Sequence, residues 1–125
     1  MSVPKHILVV DRSGEIRDTI TAILEDRGYR VSSADSGAAM REILKKGGID
    51  AVVIDASLHD ETSASLAAHA RDLRLPLVMV SGNDDHMGYA ADHGLQLLRK
   101  PFRIHELCGA LEQAFASGQF GQRGA

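Results

Sequence analysis

Five short apolar runs punctuate the chain: His6 to Val10 (HILVV), Tyr29 to Ala34 (YRVSSA), Ala51 to Ile54 (AVVI), Leu77 to Val80 (LVMV) and Leu95 to Leu98 (LQLL). Three of them are nearly continuous in Val, Ile, Leu and Met. That pattern predicts strands buried on both faces, as in a parallel sheet covered by helices. YRVSSA is more polar and alternates, which suits an edge strand.

Helical spacing fills the gaps between the runs. Ile16, Ile20, Ile23, Leu24 and Arg27 mark one face of a first helix, with Gly28 as its stop. Ala39, Met40, Ile43 and Leu44 form a second stripe, opened by Asp35 or Ser36 as a cap and closed by Gly47-Gly48. Thr62 to Leu73 is Ala-rich, with Leu66, Ala70 and Leu73 on one face, and Pro76 bars its extension. Asp84 or Asp85 caps a short fourth helix ending at His93-Gly94. A last helix follows Pro101, with Ile104, Leu107, Cys108, Leu111 and Phe115 turned inward, and the tail after Ala116 reads as loose. Strict strand–helix alternation with right-handed crossovers predicts an α/β, doubly wound open sheet of five parallel strands. Residues 1–125 read as one domain, with a core over about 6–116 and a loose 117–125.

Composition narrows the class. The chain has 125 residues, of which 44% are hydrophobic and 25% charged, enough for a packed core without staples. Fourteen Lys and Arg against seventeen Asp and Glu give a net charge of −3 with no basic run, so a nucleic-acid footprint is not expected. One cysteine excludes a disulfide framework or a multi-Cys zinc site and suits a reducing, cytoplasmic setting. No stretch approaches a membrane span, and MSVPKHILVVD does not read as a signal peptide.

In open parallel sheets, ligands bind beyond the carboxyl ends of the strands, so the residues there carry the functional information. They are Asp11-Arg12 after the first run, Asp55 after the third, Ser81-Gly82 after the fourth and Lys100-Pro101 after the fifth. A lone Asp after a strand is commonly a helix cap. Two carboxylates, a hydroxyl and an ammonium delivered to one rim by four strands are harder to assign to capping.

The motifs ILVVD, VVID, MVSG and RKPF, in this order and spacing, resemble the receiver domain of bacterial two-component response regulators, from about His6 to Ala116. The resemblance implies a flavodoxin-like (βα)5 sandwich with strand order 2-1-3-4-5. It also implies that Asp55 accepts a phosphoryl group from a sensor histidine kinase or phosphotransfer protein. Lys100 would contact the phosphoryl oxygens, followed by a proline often reached through a cis bond. Ser81 would swing to bond them, beside the small Gly82. Asp11, Asp55 and the backbone carbonyl of Ser57 would be the Mg²⁺ ligands. The chemistry is coherent: a carboxylate attacking an anionic donor needs positive charge on the developing oxygens.

Several positions depart from the family pattern. Receivers usually have two adjacent acids after the first strand, the second a direct Mg²⁺ ligand; here Arg12 stands in that place. Asp11, Asp55, Arg12 and Lys100 sum to zero charge without a metal. A unit charge and a divalent ion about 6 Å apart interact by roughly 5 kcal/mol at an effective dielectric near 20. Guanidinium does not deprotonate, and Mg²⁺ demands near-ideal oxygen ligation. Mg²⁺ is therefore expected to bind weakly or not at all, unless Arg12 turns outward or Asp60 or Glu61 supplies an oxygen. His59 and Ser63 replace the family's Pro and Gly, so the loop after the third strand is expected to take another path. Leu97 replaces an aromatic switch residue, and the usual relay from Ser81 is not expected.

Three readings stand open at this point. Asp55 is phosphorylated with reduced metal dependence; or Arg12 pairs with Asp55 or Asp11 and fixes one state, leaving a phosphorylation-independent binding module; or the fold hosts a small enzyme or cofactor binder. No glycine-rich phosphate loop follows the first strand to favour the third. The receiver reading is not enzymatic. It expects a stand-alone domain, monomeric or weakly dimeric, signalling through its fourth helix, fifth strand and fifth helix. The six histidines have no metal-ligand spacing. His6 opens a strand, and His69, His86, His93 and His105 read as surface residues. His59 faces either Asp55 or, by preference, solvent. Cys108 reads as core, and Tyr89 as half-buried or part of an output surface.

Overall fold

A computed structural model describes residues 3–58, 62–82 and 95–117. Its strands are β1 (His6–Val10), β2 (Arg30–Ala34), β3 (Ala51–Asp55), β4 (Leu77–Ser81) and β5 (Gln96–Arg99). All neighbours pair in parallel, in the order β2-β1-β3-β4-β5. The expected topology is the observed one. Chain order runs outward in one direction from β1 to β2 and in the other from β1 to β3, so the switch in direction lies at β1 and β3.

Alternation along the strands separates two apolar layers. Leu8, Val10, Val52, Ile54 and Met79 face one side, where they meet Met40 and Leu44 of α2 (Gly37–Lys46) and Leu66, Ala67 and Ala70 of α3 (Ser63–Asp72). Ile7, Val9, Val53, Val78 and Val80 face the other. There they meet Ile20 and Leu24 of α1 (Gly14–Asp26) and Leu107, Leu111 and Ala114 of the C-terminal helix (Ile104–Ser117). β1, β3 and β4 are buried on both faces, while β2 lies at an edge, as its polar alternation predicts.

Each helix start has a local cause. Ser13, Ser36 and Thr62 cap α1, α2 and α3, each side-chain oxygen accepting from the amide three residues on. α1 ends in a Schellman turn: Gly28 takes φ +93°, and the amide of Tyr29 donates to the carbonyl of Leu24. α3 ends the same way, with Leu75 N–H donating to Ala70, yet the left-handed position is held by Arg74 at φ +59°. The stop on α3 is thus a strained non-glycine turn, two residues ahead of Pro76.

Some expectations are corrected. Leu73 is 46% exposed and Ile104 is 50% exposed. Leu73 caps α3 just where the chain turns away from the sheet, and Ile104 opens the C-terminal helix before it reaches the core. Arg27, placed on the apolar stripe of α1, is its exposed C-cap. β2 starts at Arg30 rather than Tyr29, and β5 is shifted one residue along, to Gln96–Arg99. The expected fourth helix, with Asp84, Asp85, His86, Tyr89 and His93, lies outside the described residues, as do His59, Asp60, Glu61 and residues 118–125. Among the described residues, no helix is long and apolar enough to cross a membrane.

Candidate functional site

The strand ladder fixes where the site lies. β1, β3, β4 and β5 are successive neighbours, so their carboxyl ends form one rim. Asp11 follows β1, and its amide donates to Ala34 (3.1 Å). Asp55 and Ser81 are the last residues of β3 and β4 rather than the first beyond them. Lys100 follows β5, and its amide donates to the carbonyl of Ser81 (2.9 Å). The Lys100–Pro101 peptide is cis.

Three of the described polar side chains at this rim are buried: Asp11 (2% exposed), Asp55 (3%) and Ser81 (0%). Lys100 reaches over both acids, with Nζ 3.4 Å from Asp11 Oδ2 and 3.7 Å from Asp55 Oδ1. Two buried like charges side by side repel and are costly to desolvate; an ammonium between them offsets both penalties. Backbone amides complete the arrangement. Ser13 N–H donates to Asp11 Oδ1 (2.9 Å) and Ser57 N–H to Asp55 Oδ1 (3.1 Å). Among the described residues no buried side-chain polar atom lacks a partner.

The structure therefore brings Asp11, Asp55, Ser81 and Lys100 together. Gly82 is exposed, and a Cβ built there meets no described atom within 4 Å, which leaves space among the described residues of the rim. That space continues into a cleft of about 510 Å³ between α1 and the loop after β5, lined by Ile16, Thr19, Ile23, Lys100, Pro101 and Phe102 among others. Ser57 is exposed and meets Asp55 through its amide. Arg12 is exposed, next to the buried Asp11. Leu97 is half-buried against the α2–α3 layer. A separate hollow of about 600 Å³ between α2 and α3 contains none of these residues.

One residue escaped the sequence reading. Arg17 folds back from α1, and its Nη1 donates to the backbone carbonyl of Asp11 at 2.6 Å. A signal existed: a cation in the first turns of a helix opposes the macrodipole, so it calls for a partner outside the helix. The remaining candidates are ordinary. Cys108 is buried in the core, and His105 is exposed. His69 is half-buried, and His6 is half-buried with Nε2 2.7 Å from Ser32 Oγ.

Asp11 and Asp55, the side chains expected to hold Mg²⁺, lie together at the rim, and Arg12, expected to weaken that site unless turned outward, is exposed. Among the described residues no three His, Cys, Asp or Glu groups cluster for a metal. The two carboxylates that do meet are already shared by Lys100, and the neighbouring residue is a cation.

A buried acid pair bridged by lysine thus lies at the switch of the 2-1-3-4-5 sheet. The family model for the response regulator receiver domain matches residues 7–112, and the chain belongs to that family. It is a signalling module of two-component systems. The transcriptional regulatory protein GltR of Pseudomonas aeruginosa is 30% identical over 94% of this chain and 52% of its own length. The chain spans about half the length of curated relatives it matches. A response regulator receiver protein from Sinorhizobium medicae superimposes with a TM-score of 0.81 at 30% identity, covering 92% of this chain and 97% of that one. The response regulator TrrA of Thermotoga maritima, solved in complex with Mg²⁺-BeF, matches at a TM-score of 0.80 and 20% identity, covering 88% and 98%.

Proposed function

We propose that residues 1–125 act as one receiver unit that takes a phosphoryl group onto Asp55 from a sensor histidine kinase or phosphotransfer protein. The observation that carries this reading is Lys100 Nζ lying between the two buried carboxylates. In the proposed step an Asp55 carboxylate oxygen attacks phosphorus and forms an acyl phosphate. The P–N bond of the donor phosphohistidine breaks, and its electron pair returns to the imidazole, which takes up a proton from solvent. Lys100 transfers its attraction from the carboxylates to the new phosphoryl oxygens, and Ser81 and the open space at Gly82 receive them.

The Mg²⁺ contribution is reduced in this reading. The resemblance to the family implies a Mg²⁺ ion that would neutralise the phosphoryl oxygens, and TrrA is one such regulator solved in complex with Mg²⁺-BeF. Here Arg12 takes the place of an acidic ligand, so the sites left for the ion are Asp11, Asp55 and the carbonyl of Ser57. Leu97, lacking a hydroxyl and already packed, does not relay the change as an aromatic would. Output passes through protein contacts on the surface that includes β5 and the C-terminal helix.

The test is intact-mass analysis after incubation with a small-molecule phosphodonor, with and without Mg²⁺, beside Asp55→Asn. An adduct that requires Asp55 and survives removal of Mg²⁺ is expected. No adduct from the folded protein, either from the small donor or from a partner kinase, overturns the reading. Lys100 already holds both acids without a phosphoryl group, offsetting one of their two charges, which also favours a static receiver that binds partners without phosphorylation. That reading requires Asp55→Asn to leave partner binding unchanged.

A further inference from the structure

Asp11 is held at every polar atom. Its amide donates to Ala34, Oδ1 accepts from Ser13, Oδ2 faces Lys100, and its carbonyl accepts from Arg17. The first three contacts come with the strand, the turn and the lysine. The fourth does not: it requires a long side chain to fold back six residues from α1. The guanidinium lies over the start of the helix, with Nη2 3.4 Å from where a Cβ at Gly14 would stand. Arg17 is half-buried, whereas Arg12 is exposed. A charged donor at 2.6 Å makes a short, strong bond.

The consequence follows from the chain's geometry. A carbonyl pinned at the end of β1 cannot rotate with the Asp11-Arg12-Ser13 turn. The Asp11 carboxylate then stays on Lys100, and Lys100 stays between both acids rather than swinging onto Asp55 alone.

We propose that Arg17 is a positioning residue for phosphoryl acceptance, acting through Asp11 on Lys100; this rests on the reading of Asp55 as the acceptor. The experiment is a double-mutant cycle on the rate of Asp55 phosphorylation by a small-molecule phosphodonor at fixed Mg²⁺, using Arg17→Met, Asp11→Asn and the pair. Arg17→Met is expected to slow the reaction about tenfold in the otherwise native protein and to have almost no effect in the Asp11→Asn background. A merely structural role would slow both equally. If Arg17→Met loses its cooperative melt, Arg17→Lys, which keeps the charge but not the planar fork, goes through the same cycle with an effect of about threefold expected. An unchanged rate in the Arg17 variants, or a full effect in the Asp11→Asn background, overturns the proposal alone. No adduct on the native protein overturns the acceptor reading, and this proposal with it.

Discussion

Arg12→Asp tests the charge balance of the site. It places an acid beside Asp11 and, on the proposed reading of the pocket, should tighten Mg²⁺ binding. Arg12 is exposed, so its field acts largely through water and the high-dielectric limit applies. Turning +1 into −1 at about 6 Å from a divalent ion changes the interaction by about 3 kcal/mol at a dielectric near 80, or about a hundredfold in Kd. Any direct coordination by the new carboxylate adds to that figure. Arg12→Ala makes half the change and should give about tenfold. At 0.1 M salt the Debye length is about 10 Å, so about half of that free energy survives and the expected change for Arg12→Asp falls to about tenfold. The assay is a Mg²⁺ titration at constant ionic strength. It is followed by calorimetry and by the amide resonance of Ser57, whose N–H donates to Asp55 Oδ1. An Arg12→Asp protein within about threefold of the native Kd would refute the electrostatic account of this pocket.

Other outcomes follow from the fold. Leu24 is fully buried between α1 and the sheet, so Leu24→Ala should cost about 2–5 kcal/mol, read by urea denaturation. Arg74→Gly should raise stability by about 1 kcal/mol, because glycine adopts the left-handed turn after α3 without the Cβ penalty; no change would show that the turn is unstrained. The Tyr29 phenol is pushed above its ordinary 10.0, first by burial and then by Glu112 and Cys108. With the folded pKa above the unfolded one, its contribution is intact below pH 10 and is lost as pH rises through the folded value. Tyr29→Phe should therefore flatten the alkaline loss of stability, as followed by thermal melts between neutral pH and strong alkali.

Much of the fold was legible because burial on both faces leaves a nearly unbroken apolar run, as in β1, β3 and β4, and little else does. The start of α2 at Ser36 needed only local chemistry, and two of the stops carried glycine. Leu73 and Ile104 misled because a helical stripe says which residues share a face, but not where along its length the helix leaves the core. The left-handed Arg74 carried no signal at all, since Arg is not a residue that announces such a turn.

The site divides in the same way. Asp11, Asp55, Ser81 and Lys100 stand out in the sequence because strand ends are marked by the apolar runs before them, and the parallel order then carries those ends to one rim. What the linear order could not supply is the contact among them. That Lys100 spans both acids, that Arg12 is exposed while Asp11 is buried, and that Arg17 reaches back to the Asp11 carbonyl depend on side-chain directions set by packing between strands far apart in sequence. Periodicity is a property of neighbours along the chain, so it determined the sheet and its order of chemistry. Charge pairing is a property of neighbours in space, so only the folded protein decided which charge answers which.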